Sequence, residues 1–380
     1  MSIVLLNKPG LMNKIIWLLF FLSPACLPSA LNSCAGNSNS NKKGEQSGAQ
    51  ILPKSGNRLN IPNPAEYTFA WGDEFEGNHL DSKKWFLRRE GDPSFGPPNT
   101  KGNIQVANGH VTLLSKAPPV GPLSAAEIST ENLFDFRYGY FEIRAQLSSG
   151  VGGECAFWMT TPKTSVVSNP FDPAISGVEI DIFENGISKG VNKLFYSLHW
   201  GGYEPPHAKL LTHVDSIPGI YAGFHTFALE WTPRKYSIYV DGKERITTDT
   251  IVSHVPEFIL LGIGPGGFGG SAALFPNPSS FVVDYIRVYN RRPEVTLFGG
   301  TNFRSWVSNG LLAGSYNTAQ LLANGGIDNA LFSVEIPTGW TVTLFEEDNF
   351  TGKSTMLNAG DIKNLGAWNG ITSSLKISSP

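Results

Sequence analysis

Between Tyr67 and Asn290 no helical apolar period persists; short alternating or continuous apolar runs are instead cut by clusters of Gly, Pro, Asn and Asp. His110-Val111-Thr112-Leu113-Leu114, the stretch from Tyr138 to Ala145, and Tyr236-Ser237-Ile238-Tyr239-Val240 are such runs. Side chains alternate faces along a strand, so runs of this length and period read as strands with a buried face. Asp241-Gly242 closes the third run with a pair suited to positive φ, a strong hairpin signal. With 41 glycines and 26 prolines in 380 residues, about 18% against a usual ~12%, turns are favoured over long helices. The expectation is an all-β chain whose body is a β-sandwich.

Charged residues make up only 16% of the chain, against a usual ~25%, and the net charge is −3. There is no basic stripe, which excludes nucleic acid and anionic membrane surfaces as partners. Aromatic residues reach 12%, enough to fill a core and still leave surfaces that stack on flat apolar partners. Cys26 and Cys34 lie in or beside an apolar N-terminal stretch, leaving Cys155 alone in the rest of the chain. No internal disulfide framework can form, so stability must come from a core.

Asn13 and Lys14 lead into Ile15-Ile16-Trp17-Leu18-Leu19-Phe20-Phe21-Leu22, followed by small residues up to Cys34. This has the form of a secretory signal, and Pro24 and Pro28 argue against a spanning helix. Residues 1–33 are therefore expected to be a leader, with Met12 the better initiator because it sets the charge directly before the apolar run. Leu31-Asn32-Ser33-Cys34 resembles a bacterial lipoprotein box, with Asn32 departing from the pattern. Cys34 would then be lipidated and hold the protein at the cell envelope, the sole membrane contact; the alternative is a cleaved signal and a secreted protein. Residues 34–60, rich in Asn, Ser, Gly and Lys, read as a solvated tether.

After Arg291-Arg292-Pro293 the character changes, and residues 293–380 look internally duplicated. Val295-Thr296-Leu297-Phe298 with Asn302-Phe303 is echoed by Val342-Thr343-Leu344-Phe345 with Asn349-Phe350. Asp328-Asn329 through Ser333-Val334 is echoed by Asn369-Gly370 through Ser374-Leu375. Two such units predict a small repeated β-domain after a main domain spanning 61–292.

The segment richest in chemistry is Gly177-Val178-Glu179-Ile180-Asp181-Ile182-Phe183-Glu184-Asn185. Burying a lone carboxylate is costly, so acids alternating with Ile, Ile and Phe need a reason to be there. Glu179 and Asp181 share a face of a regular strand, ~6.6–7 Å apart, whereas Glu184 would fall on the opposite face. One extra residue between Asp181 and Glu184, a β-bulge, turns all three to the same side. Glu179 and Glu184 could then approach the ~5–5.5 Å separation of a retaining glycosidase, one as nucleophile and the other as acid/base. Crowded like charges keep one of the acids protonated near neutral pH, as a general acid must be. Asp181, between them, is placed to hydrogen-bond the nucleophile. A calcium site or a solvated acidic edge is the competing reading of the same acids.

Glu179-Ile-Asp181-Ile-Phe-Glu184 resembles the signature of glycoside hydrolase family 16, in the bulged form shared by laminarinases, agarases and carrageenases. The resemblance continues through Trp71-Gly-Asp-Glu-Phe75, Tyr138-Gly-Tyr-Phe-Glu142, Ala156-Phe-Trp158-Met159, His199-Trp200, Glu230-Trp231-Thr-Pro233, Tyr239-Val-Asp241-Gly242 and Val283-Asp284-Tyr-Ile-Arg-Val-Tyr289. It implies a concanavalin-like jelly roll with an open cleft, cutting a β-linked polysaccharide internally with retention and requiring no cofactor. It makes Glu179 the nucleophile, Glu184 the acid/base and Asp181 the assisting acid. Trp158 and His199 match substrate-binding positions near the cleaved bond, with a core aromatic and a structural histidine as the alternatives. Trp200, one residue along, should point the other way. Asp284 matches a position that binds a structural calcium in many members, or is a surface aspartate.

Laminarinases usually carry Trp-Pro where this chain has Glu154-Cys155, so one stacking platform is missing. The expected substrate is β-1,3-glucan or mixed β-1,3/1,4-glucan; galactan-type substrates such as agarose, carrageenan or mucin-like glycans, and a non-catalytic sugar-binding role, are the alternatives. The tail resembles a Greek-key βγ-crystallin domain, with Phe345-Glu-Glu-Asp-Asn-Phe350-Thr-Gly352 fitting that family's motif and Ser305 standing where the second copy has Gly352. That family binds calcium through an Asn/Asp pair followed by hydroxyl residues. Here the second copy offers Asn369, Gly370, Ser373 and Ser374, and the first offers Asp328 and Asn329 with Phe332 in the hydroxyl place. A monomer acting on a polysaccharide partner is expected.

Overall fold

The structure, a computed structural model, describes residues 63–149, 152–162, 164, 172–185, 192–202, 209–265 and 278–380. The expected leader, Cys34 and most of the tether lie outside the described residues. Strands follow in chain order as β1 (Tyr67–Asp73), β2 (Phe86–Leu87), β3 (Ile104–Ala107), β4 (His110–Ser115), β5 (Ala126–Ser129), β6 (Gly139–Gln146) and β7 (Gly153–Thr160). They continue as β8 (Glu179–Asn185), β9 (Lys193–Trp200), β10 (Lys209–Ser216), β11 (His225–Trp231), β12 (Tyr236–Val240), β13 (Lys243–Thr248), β14 (Phe258–Pro265) and β15 (Ser279–Arg291). The tail adds β16 (Thr296–Phe298), β17 (Gly314–Tyr316), β18 (Ser333–Phe345), β19 (Ser354–Ile362) and β20 (Ser374–Ser378).

Two antiparallel sheets form the body. One runs β13-β12-β11-β6-β15-β4-β3 with β1 beside β15, and the other runs β10-β9-β8-β7-β14-β5-β2. Alternation decides which side chains meet between them. Phe141 and Ile143 of β6, Phe227 and Leu229 of β11, and Val111 and Leu113 of β4 pack against Phe157 and Met159 of β7, Ile180 and Phe183 of β8, and Ile259 and Leu261 of β14. The Phe183 and Phe227 rings lie 4.3 Å apart between centroids, across the two sheets. Each such side chain, fully buried, contributes roughly 1.5–3 kcal/mol, which is how the sandwich holds without a disulfide. The all-β sandwich expected from the periodicity is the architecture observed.

The tail forms a five-stranded sheet, β16-β18-β20-β17 with β19 beside β18. The duplication read from the sequence reappears as matched backbone. Asn302 and Phe303 (φ 57° and 62°) repeat in Asn349 and Phe350 (52° and 63°), Ser305 (70°) in Gly352 (76°), and Asn329 (54°) in Gly370 (72°). In each copy a serine hydroxyl clamps the turn: Ser333 Oγ accepts from Phe303 N and donates to Gly300 O, and Ser374 Oγ accepts from Phe350 N and donates to Glu347 O. Left-handed backbone at non-glycine residues is strained, and these clamps offset that strain.

The tail is docked on the body through buried polar groups. The Tyr138 hydroxyl lies 2.8 Å from Glu335 Oε1 and 2.5 Å from His254 Nδ1, which is itself 3.1 Å from that Glu335 oxygen. The His254 ring packs on Phe298 and Phe303 at 5.1 and 5.3 Å. Arg304 pairs with Asp172, whose carboxylate also caps the short helix Pro173–Ser176 that leads into β8.

Candidate active site

The site begins at a turn. Gly177 has φ 85°, and a Cβ there would lie 2.2 Å from Thr161 Cγ2, so the approach to β8 admits only glycine. Glu257 Oε1 then accepts the Val178 N–H at 3.1 Å and fixes where β8 starts. Along β8, Ile180, Ile182 and Phe183 enter the core between the sheets. Two consecutive core residues are geometrically allowed only because the pairing with β9 shifts between Asp181 and Glu184: Asp181 opposes Ser197, and Glu184 opposes Phe195. The pairing with β7 shifts at the same place, Asp181 opposing Trp158 and Glu184 opposing Ala156. One extra residue is thus inserted, and Glu179, Asp181 and Glu184 all face away from the core. Asn185 pins the far end of the bulge: buried, its Oδ1 accepts from Cys155 N while its Nδ2 donates to Gly153 O at 3.2 Å and Ser148 O at 3.4 Å.

His199 opposes Glu179 across β9 and β8. Its Nε2 lies within hydrogen-bond distance of Asp181 Oδ2 at 3.2 Å and stands 3.8 Å from Glu179 Oε1, so the imidazole is set beside both acids. Glu184 is held well above the usual carboxylate range, first by burial of its carboxyl and then by the negative charges of Asp181, Glu154 and Glu179. A carboxylic acid that keeps its proton near neutrality, beside carboxylates on the same face, is the division of labour that general acid catalysis needs.

Trp158 shares that face, in a cluster with Phe258 and Leu260 separate from the main core. Its ring is only 8% exposed, with the Arg88 guanidinium 5.5 Å from its centroid. Arg88 in turn pairs with Glu127 at 3.2 Å and Glu131 at 3.5 Å. Trp158 is therefore a covered floor beside Asp181, between the substrate-binding and core-aromatic readings. Trp200 packs against the main core, on the other side from His199.

The expected calcium positions do not fit a metal. Asp284 sits at a register shift in β15 that turns it outward, where Arg144 Nη1 holds its Oδ2 at 2.6 Å and His110 Nε2 lies 3.6 Å from its Oδ1. Both carboxylate oxygens face cationic or donor groups, which fits the surface-aspartate reading of Asp284. In the tail, Asn369 Oδ1 is buried without a hydrogen bond, but Ser373 Oγ is taken by Asn329 Oδ1 at 3.3 Å. One orphaned oxygen falls short of the six to eight that calcium takes.

Sequence reasoning missed Asn185, Glu257 and the Glu154–Glu184 contact. Glu257 carries the same signal that revealed Glu179: an acid set directly against an apolar run, Phe258-Ile259-Leu260-Leu261.

Fold and acids together define a glycoside hydrolase on a jelly-roll sandwich. Residues 92–257 match the model of Glycosyl hydrolases family 16, and the chain belongs to that family. It is 27% identical over 248 residues to a beta-glucanase from Rhodothermus marinus, an alignment covering 59% of this chain and 85% of that one. It is 31% identical to the laminarinase from Flavobacterium sp. UMI-01, covering 59% of this chain and all of that one, with a TM-score of 0.49. SCLam, a non-specific endo-beta-1,3(4)-glucanase of family GH16, superposes with a TM-score of 0.50 at 27% identity, covering 61% of this chain and 94% of that one.

Proposed function

We propose that the protein hydrolyses internal bonds of β-1,3-glucan, or of mixed β-1,3/1,4-glucan, with retention. The observation that carries this reading is the bulge that puts Glu179, Asp181 and Glu184 on one face, where burial and the neighbouring carboxylates push the Glu184 carboxyl upward. In the first step a Glu179 carboxylate oxygen bonds to the anomeric carbon as the glycosidic bond breaks, and Glu184 gives its proton to the departing oxygen. In the second, water attacks that carbon, passes a proton to the Glu184 carboxylate and releases Glu179. Asp181, the assisting acid, holds the His199 ring beside Glu179, where the imidazole N–H orients the nucleophile and offsets its charge. Trp158 and Arg88 form the floor beside the reacting centre.

A galactan-type substrate is the second reading, favoured by Glu154 in the place where laminarinases usually carry a tryptophan. Product analysis on laminarin, lichenan, agarose and carrageenan decides between them: oligosaccharides from the first two support the glucanase reading, and products from the last two alone overturn it. We further propose that Cys34 is lipidated, so that the enzyme is held at the cell envelope, and that the βγ-crystallin-like tail is accessory to catalysis. Radiolabelled palmitate incorporated into the protein and lost in Cys34→Ala tests the anchor.

A further inference from the structure

Glu154 has no place in the two-carboxylate mechanism, yet it stands on the same face of β7 as Ala156 and Trp158, while Cys155 and Phe157 enter the core. Ala156 is the residue that opposes Glu184, so Glu154 lies one same-face position along from the acid/base. The two carboxyls hydrogen-bond each other. Two carboxylates cannot do so without a proton between them. On β14, Gly262 and Gly264 stand beside Ala156 and Glu154 and bring no side chain that could compete for either carboxyl.

We propose that Glu154 is a positioning residue for Glu184, sharing a single proton with it and aiming that proton at the leaving-group oxygen. The proposal rests on Glu184 being the acid/base. The remaining charged groups on the described elements around Glu184 are Asp181 and Glu179 of β8, His199 and Lys193 of β9 with Phe195 directly opposite, and Glu127 of β5, which lies over Gly262 and is paired with Arg88. Before cleavage Glu154 accepts the hydrogen bond from the Glu184 hydroxyl and fixes its rotamer. Once the proton has gone to the leaving group, two carboxylates face one another. Their repulsion is relieved when Glu184 takes a proton from the attacking water, so the same contact assists the second step. Every proton taken from Glu184 in the first step is returned by water in the second, and no further reactant is needed. The tryptophan that laminarinases usually carry cannot do this, so the substitution exchanges a stacking surface for control of the proton.

The test combines a pH profile with a direct titration. Glu154→Gln keeps the size and the hydrogen bond but removes the charge. The alkaline limb of kcat/KM on laminarin should move acidward by about one pH unit, and kcat should fall because the repulsion that helps Glu184 take its second proton is gone. An even loss at every pH with the limb unmoved would mean that Glu154 is merely structural, and would overturn the proposal. In the unmodified protein, the 13C resonances of the Glu154 and Glu184 carboxyls should titrate as a coupled pair sharing two midpoints. Two independent single-midpoint curves would overturn it whether or not the variant folds. This titration needs no substrate, so it also separates the two readings: full activity in Glu184→Gln would sink the catalytic assignment and leave the shared proton to be judged on its own.

Discussion

Glu257 Oε1 accepts the backbone N–H of Val178 at 3.1 Å, one residue before Glu179, from a position with no exposed surface. Burial pushes the Glu257 carboxyl up to about 8, so near neutral pH the strand carrying the acids is anchored by a neutral carboxylic acid. The raised value has a consequence for stability. The folded state binds this proton more tightly than the unfolded chain, so the contribution is full below the ordinary carboxylate range and declines as pH rises towards about 8. Glu257→Gln keeps the acceptor without the ionisation. Its melting temperature should match the parent near pH 5 and exceed it near pH 9; equal pH dependence of the two proteins would show that the carboxyl does not titrate with folding.

Asn185 satisfies three buried backbone groups at the end of the bulge. Asn185→Ala strands the Cys155 N–H and the Gly153 and Ser148 carbonyls away from water, at roughly 2–4 kcal/mol in total. Urea denaturation should show a loss of that size. Because Glu184 is the neighbouring residue, kcat should fall while KM changes little. A variant with parental stability and kcat would remove Asn185 from this role.

Glu335 is the buried acceptor that joins the tail to Tyr138 and His254. Glu335→Ala leaves Tyr138 and His254 with only each other and should cost about 1–3 kcal/mol, read as a lower melting temperature. Deleting residues 294–380 should also lower the melting temperature, since it uncovers His254 and frees Asp172 from Arg304. Activity on soluble laminarin should persist in the truncated protein at temperatures where it stays folded. Loss of all activity in a folded truncation would make the tail part of the catalytic apparatus.

The parts of the molecule that can be read from sequence are those encoded by local period. Alternating runs such as Tyr138–Ala145 and Tyr236–Val240 fall on strands β6 and β12. The bulge between Asp181 and Glu184 is legible because three acids can share a face only if one residue is added, and the register shift lies there. Partners distant in the chain were not legible. Glu257 meets Val178 across 79 positions, and Arg88 covers the Trp158 ring from strand-edge neighbours that no spacing rule connects. Asp284 is a related case: the motif around it implies calcium or a surface aspartate, while its pairing with Arg144 and His110 depends on two other strands. Local pattern specifies which residues face outward; what meets them there is set by topology.

Chemical rescue separates the nucleophile proposed at Glu179 from the acid/base proposed at Glu184. Glu179→Ala and Glu184→Ala should each lose activity on laminarin by several orders of magnitude. Both should recover turnover of an activated aryl β-laminaribioside when azide is added. The products then identify the roles: with Glu179→Ala, azide attacks from the nucleophile's side and gives the α-glycosyl azide, and with Glu184→Ala it intercepts the glycosyl-enzyme and gives the β-glycosyl azide. The reverse pair of products, or full activity in Glu179→Ala without azide, would contradict the account.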